Sequence, residues 1–239
     1  MERRCREKRR AATMNTLDFS VVWTSLPYLS QGLLFSLSLT AFAFVIGVTL
    51  GTVLALVQHL ELPVFSQVAR TYVALMRSVP LIMVLFWFFF LVPIIAGHLS
   101  GNGRPVPVGA SATAYVTFGL FEAAYYCEII RSGLRAISKG QFEAARALSL
   151  GVIKTYWLVV LPQVVRAVSP IMLSQTISLF QDTSLVYVLS LTDLLGAASK
   201  VAQINGRLVE MYLSVAAAYF VINGVASQLV ATLKRTSRR

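Results

Sequence analysis

Five stretches of this chain are long and apolar, at residues 32–57, 81–97, 110–130, 158–179 and 209–233. A helix needs about 20 apolar residues to cross the hydrocarbon core of a bilayer. Within that core every backbone N–H and C=O must be satisfied internally, so only helices and closed barrels can span it. A barrel strand would read as roughly ten residues of alternating hydrophobicity, and no such pattern occurs. We therefore expect an all-α, polytopic membrane protein with about five transmembrane helices and one membrane domain, residues 14–239. Only 13% of the residues are charged and the mean hydropathy is +0.71, whereas soluble domains carry about 25% charged residues.

The net charge of +11 does not point to nucleic acid, because the basic residues sit in short flanks between apolar spans. Such flanks set orientation: cytoplasmic loops carry the excess of Lys and Arg. Arg70, Arg77, Arg131, Arg135, Lys139, Arg146, Lys154, Lys234, Arg235, Arg238 and Arg239 fall on one side; Arg104, Lys200 and Arg207 fall on the other. The 131–157 loop and the C terminus are thereby expected in the cytoplasm, and the N terminus in the periplasm. Residues 1–13 hold six further basic residues, which would erase this asymmetry. We expect Met14 to be the start and the preceding residues to be an over-called extension.

Smaller features follow the same logic. Residues 18–31 read as an interfacial segment, with Trp23 and Tyr28 at headgroup depth. Gly47 and Gly51, four apart in the first span, let another helix pack closely. Residues 59–78 read as a polar connection, and 192–208 as a short surface helix on the far side. The cysteines, Cys5 and Cys127, form no disulfide framework or metal spacing. No glycine-rich phosphate loop is present, so energy must come from a partner or a gradient. We expect no cofactor, no metal and no catalytic residues.

The polar segment between the third and fourth spans reads GQFEAARALSLGVIKTYWLVVLPQ. Glu143, Ala144, Ala145 and Arg146 begin a run of good helix formers. Ser149 and Gly151 break the run, and helix resumes until Pro162. The pattern predicts two short helices joined by a small-residue elbow, with Ala144, Ala145 and Leu148 on one face. Such a knob suits docking into a cleft of another protein; an ordinary loop helix fits the spacing equally well.

Charges within spans are costly and commonly functional. Glu122 lies mid-span with no cation within a turn of its own helix, so it needs an interhelical partner, a proton or a wet cavity. Arg166 is the evident partner, and a substrate ammonium is the alternative. Gln181, Asp182, Thr183 and Ser184 form a polar cluster suited to gating or to an amino acid's polar groups, or Asp182 caps the next segment. Glu128 and Arg131 can pair across one turn.

The Glu143-Ala144-Ala145 run, with Leu161-Pro162 eighteen residues after Glu143, resembles the signature loop of permeases of ATP-binding-cassette importers. The family's Gly would fall at Ser149, and this chain has Gly151 instead. From Met14 onward the chain is similar to polar amino-acid import permeases, through Arg77-Ser78-Val79-Pro80-Leu81, Glu128-Ile129-Ile130-Arg131 and Lys139-Gly140-Gln141. Phe121–Tyr126 and Phe180–Tyr187 resemble the glutamate/aspartate import permeases of Gram-negative bacteria. The resemblance implies a non-catalytic subunit of the bacterial inner membrane. It implies two cytoplasmic ATP-binding subunits, a second permease subunit and a periplasmic binding protein as partners. Gly140, Gln141, Glu143, Ala144, Ala145, Arg146, Ser149, Gly151, Leu161 and Pro162 would make the coupling loop. Arg131, Lys139 and Arg146 would face acidic residues of the ATPase. Glutamine or histidine permeases, a gradient-driven transporter and a scaffold without transport are the competing readings.

Overall fold

The computed structural model of the chain describes residues 17–101 and 103–237. The expected extension at 1–13 lies outside them. Among the described residues the order is α1 (Ser20–Thr24), α2 (Leu26–His59), α3 (Phe65–Ser78), α4 (Leu81–Leu99), α5 (Ala110–Ala136), α6 (Lys139–Ala147), α7 (Val152–Leu189), α8 (Leu194–Asn205) and α9 (Leu208–Ser237), with no strand.

Length and hydropathy mark α2, α4, α7 and α9 as membrane crossings. The fifth crossing is α5. Its 27 residues span about 40 Å at 1.5 Å per residue. It is less apolar because its surroundings are other helices. Thr113, Thr117, Phe118, Glu122, Tyr126 and Cys127 are all buried. The five-crossing expectation is borne out.

Close approach of α2 to α5 depends on the two glycines. A Cβ on Gly47 would stand 2.9 Å from Glu122 Cβ, and one on Gly51 would stand 2.8 Å from the Cys127 backbone nitrogen. Small residues are what permit such backbone approach between membrane helices.

Two crossings contain a π-helical turn, Trp87–Leu91 in α4 and Tyr156–Val160 in α7. Each ends two residues before a proline, Pro93 or Pro162. A proline inside a helix lacks an N–H and clashes with the carbonyl four residues back. The wider turn carries that carbonyl aside, so the helix continues. Pro162 therefore does not end the segment begun at Val152, contrary to the expectation.

Two further expectations need correction. Residues 59–78 are no mere polar connection, for α3 buries Ser66, Ala69, Val73 and Met76, a 3.6-residue stripe. The 192–208 helix exists, but it is no surface helix. Leu194, Ala197, Ala198, Val201 and Ala202 are buried with Leu29 of α2 and Met211 and Val215 of α9. Asp193 caps it, accepting from the N–H of Gly196 at 2.9 Å and of Leu195 at 3.0 Å. Ser36 of α2 accepts the Leu194 N–H at 3.3 Å. Burial pushes the Asp193 carboxyl up to about 6, against the pull of those N–H groups and Lys200.

Candidate functional site

The loop between α5 and α7 is shorter than 131–157, since α5 continues to Ala136 and α7 begins at Val152. One short helix, α6, fills it, and the helix beyond the elbow is the first part of a crossing. The exposed face of α6 also differs from the expected one. Ala145 is only 2% exposed, whereas Glu143, Ala144, Arg146 and Ala147 face outward and Leu148 is 74% exposed.

The elbow closes as a Schellman motif. Ser149 N–H donates to Arg146 O at 2.8 Å and Leu150 N–H donates to Ala145 O at 3.0 Å. Ser149 sits at the C′ position with φ +53°, the left-handed conformation that glycine adopts without steric cost. Gly151 does not replace it in this role. Its φ is −64°, it leads into α7, and a Cβ there would meet nothing.

Two contacts tie α6 to the start of α7. Gln163 Nε2 donates to Gln141 Oε1 at 3.1 Å, and the rings of Phe142 and Tyr156 lie 6.0 Å apart. Tyr156 OH in turn meets His59 Nε2 at 3.1 Å. The elbow is thus joined to the ends of α2 and α7. Gly140 lies in the first turn of α6, and Leu161 and Pro162 follow the π turn of α7.

The intramembrane residues are arranged differently from the expected pairs. Glu122 is 1% exposed, and Gln175 Nε2 donates to both its carboxylate oxygens at 3.2 and 3.3 Å. Arg166 is not its partner. It is exposed on the same helix as Gln175, nine residues or about 14 Å nearer the elbow. The polar cluster also divides. Gln181 and Ser184 line a cavity of ≈ 480 Å³. Thr183 is buried and donates to Phe180 O at 2.7 Å. Asp182 is half-buried and does not line the cavity. The opposite wall carries Tyr219, Asn223 and Ser227 of α9. Their i, i+4, i+8 spacing was visible in the sequence as a polar stripe within an apolar span.

Residues 43–239 match the model of the binding-protein-dependent transport system inner membrane component. The chain belongs to this family. GltK, a glutamate/aspartate import permease protein of Escherichia coli O157:H7, is 45% identical over 226 residues, covering 93% of this chain and 99% of that one. GlnP, a probable glutamine ABC transporter permease protein of Bacillus subtilis strain 168, is 33% identical over 83% of this chain and 88% of that one. The crystal structure of an amino acid ABC transporter with histidines superposes with TM-score 0.82 at 28% identity, covering 92% of this chain and 99% of that one.

The resemblance to importer permeases is borne out, and this inner membrane component is a multi-pass protein. Among the basic residues expected to face an ATPase, Arg131 is turned inward. Its Nη2 lies 2.6 Å from Glu128 Oε1, and Arg77 Nη1 approaches the other carboxylate oxygen at 3.7 Å. Lys139 and Arg146 remain exposed on α6.

Proposed function

We propose that the protein is the permease subunit of an ATP-binding-cassette importer that carries L-glutamate and L-aspartate from periplasm to cytoplasm. The likeness to GltK over nearly the whole of both chains carries this reading. The subunit is non-catalytic. Two ATP-binding subunits hydrolyse ATP, a second permease subunit completes the pathway, and a periplasmic binding protein delivers the substrate. The loop bearing α6 and the C terminus face the cytoplasm, and the N terminus faces the periplasm.

The α6 elbow is the point where force enters. Closure of the ATPase pair pushes on Glu143, Ala144, Ala147 and Leu148. The push reaches α7 through Gln141–Gln163 and Phe142–Tyr156, and α2 through Tyr156–His59. Gln181 and Ser184, with the α9 stripe, offer hydroxyl and amide groups to the substrate. Glu122 has its carboxylate committed to Gln175, which favours a part in joining α5 to α7 over direct contact with an anionic substrate.

Uptake of labelled glutamate into proteoliposomes holding the whole importer tests the reading. Aspartate should compete, and glutamine and histidine should not. Competition by glutamine instead would transfer the assignment to the substrate in GlnP's name. Uptake that persists without ATP and collapses with an ionophore would replace the importer by a gradient-driven carrier. Glu143→Ala should leave the protein in the membrane while ATP hydrolysis no longer drives uptake.

A further inference from the structure

The end of α2, the turn after it, one side of α3 and the last turns of α5 line an open cavity of ≈ 450 Å³. It lies at the end of the bundle that carries the elbow, because Arg131 and Arg135 occupy the final turns of α5 before α6. Arg70, Arg77, Arg131 and Arg135 line it against only two carboxylates, Glu61 and Glu128. Glu128 is already shared by Arg77 and Arg131. Arg70 and Arg135 make no hydrogen bond or ion pair with any described residue. The Arg131 side chain is 17% exposed, and its Nε is buried without an acceptor among the described residues.

Guanidinium groups are donors only and match phosphate geometry with paired N–H bonds. A buried donor left unmade costs about 1–3 kcal/mol. Four arginines line this cavity: among the described residues Arg70 and Arg135 are exposed and unpaired, and Arg131 holds the buried donor without an acceptor, a set of charges that suits an anion. Glu61 and Arg70 also line a second groove, together with Leu62, Pro63, Val64, Ser66 and Gln67. Leu62, Val64, Phe65 and Val68 beside it are exposed apolar residues. A phosphate tethered to acyl chains fits a basic pocket that opens onto an apolar shelf. Cytoplasmic leaflets supply anionic lipids, and basic residues near their surface each contribute about 1 kcal/mol, a factor of about five.

We propose that this pocket binds a phosphate anion at the cytoplasmic membrane surface, with the headgroup of an anionic phospholipid as the source that the adjoining exposed apolar side chains favour. Arg70 and Arg135 clamp the phosphate, Arg131 Nε completes it, and Glu61 keeps the empty clamp from excessive charge. The site is independent of which amino acid is carried, and depends only on the elbow end being cytoplasmic.

The test uses the complete importer in phosphatidylcholine nanodiscs containing a trace of photoactivatable phosphatidylglycerol, with labelled peptides mapped by mass spectrometry. Labelling should concentrate on the α2 end, α3 and the last turns of α5. Arg70→Ala with Arg135→Ala should weaken it roughly 25-fold, a factor of about five for each guanidinium. Arg70→Lys with Arg135→Lys should retain most of it, and Glu61→Gln should strengthen it. Should the double alanine variant fail to assemble, each single variant must still show its own fivefold loss. Displacement of the lipid by inorganic phosphate, with radiolabelled phosphate bound in lipid-free detergent, would keep the site and make free phosphate its source. Equal labelling in wild type and the alanine variants, or equal labelling by photoactivatable phosphatidylcholine, would overturn the proposal. Neither result bears on glutamate uptake, so the two assignments fail separately.

Discussion

Gly51→Ala adds one carbon where α2 meets α5, and the structure gives its cost. The new Cβ would lie 2.8 Å from the Cys127 backbone nitrogen, 2.9 Å from Ala123 O and 3.0 Å from Tyr126 Cβ. Attractive contacts between heavy atoms lie near 3.5–4.0 Å, so the shortest contact falls about 0.7 Å short. Two of the three obstacles are backbone, which no rotamer change can move. Overpacking of this kind costs about 1–3 kcal/mol, and replacing Gly by Ala within a helix returns at most about 1 kcal/mol. With immovable backbone obstacles the cost falls in the upper part of that range, about 2–3 kcal/mol, so the net loss should be about 1–2 kcal/mol, or roughly 2–8 °C in Tm for a chain of this size. Gly119→Ala is the control, because its Cβ meets only side-chain atoms, Ile46 Cγ2 at 3.1 Å, Ile46 Cβ at 3.4 Å and Phe42 Cε1 at 3.8 Å; it should shift Tm by less than half as much. Cys127 supplies the assay, being a buried free thiol beside the contact. In a Cys5→Ser background it is the only thiol of the chain, and its reaction with a thiol dye on heating reports opening of the α2–α5 seam. If Gly51→Ala unfolds no earlier than wild type, or Gly119→Ala unfolds earlier still, the backbone approach does not hold the seam.

The elbow yields two contrasting predictions. Ser149→Gly should slow hydrogen exchange at Leu150, because it removes the left-handed penalty of about 1–2 kcal/mol less the entropy glycine gains in the opened loop. Ser149→Val should speed that exchange and lower the ATP-to-uptake coupling ratio. Gly151→Ala, at an ordinary φ in open space, should leave stability within about 0.5 kcal/mol of wild type; any loss of coupling it causes then reports the proposed ATPase contact and not the permease fold. Asp193→Ala should cost about 1–2 kcal/mol through the lost cap. The Asp193 carboxyl titrates near 6 when folded, against 3.8 as its ordinary value. The folded state therefore binds more protons between those limits, and this contribution to stability is present at low pH and fades as pH rises through 6. Asp193→Asn should abolish that slope in unfolding measured between pH 4 and pH 7.

The crossings and the α6 elbow were legible because their signals are local. Runs of apolar residues, a Glu-Ala-Ala stretch and glycines four apart all lie within one element. What escaped depends on neighbours distant in sequence. Glu122 meets Gln175 across 53 residues, and nothing near either one announces the other. Sequence shows charge type but not axial distance, so it offers Arg166 as the counter-charge. The stripe of Ser66, Ala69, Val73 and Met76 was present, but two small or polar members disguise it as a connection. In α8, alanines hide a buried face, since they contribute little hydropathy yet pack closely against α2 and α9. Ser149 shows the opposite case: alignment with the signature loop put glycine's position there, and the backbone confirms that this residue, not Gly151, carries the turn.

The sheathing of α5 also bears on how the protein is made. A carboxylate at a helix centre raises the cost of leaving the translocon for lipid by about 2.5–3.5 kcal/mol, and α5 carries one with little hydropathy to offset it. When Glu122 emerges, α2 is already made, but Gln175 must still be synthesised. The nascent third crossing thus has half its sheath, and its secure lodging in the bilayer waits until ribosomes have delivered the fourth.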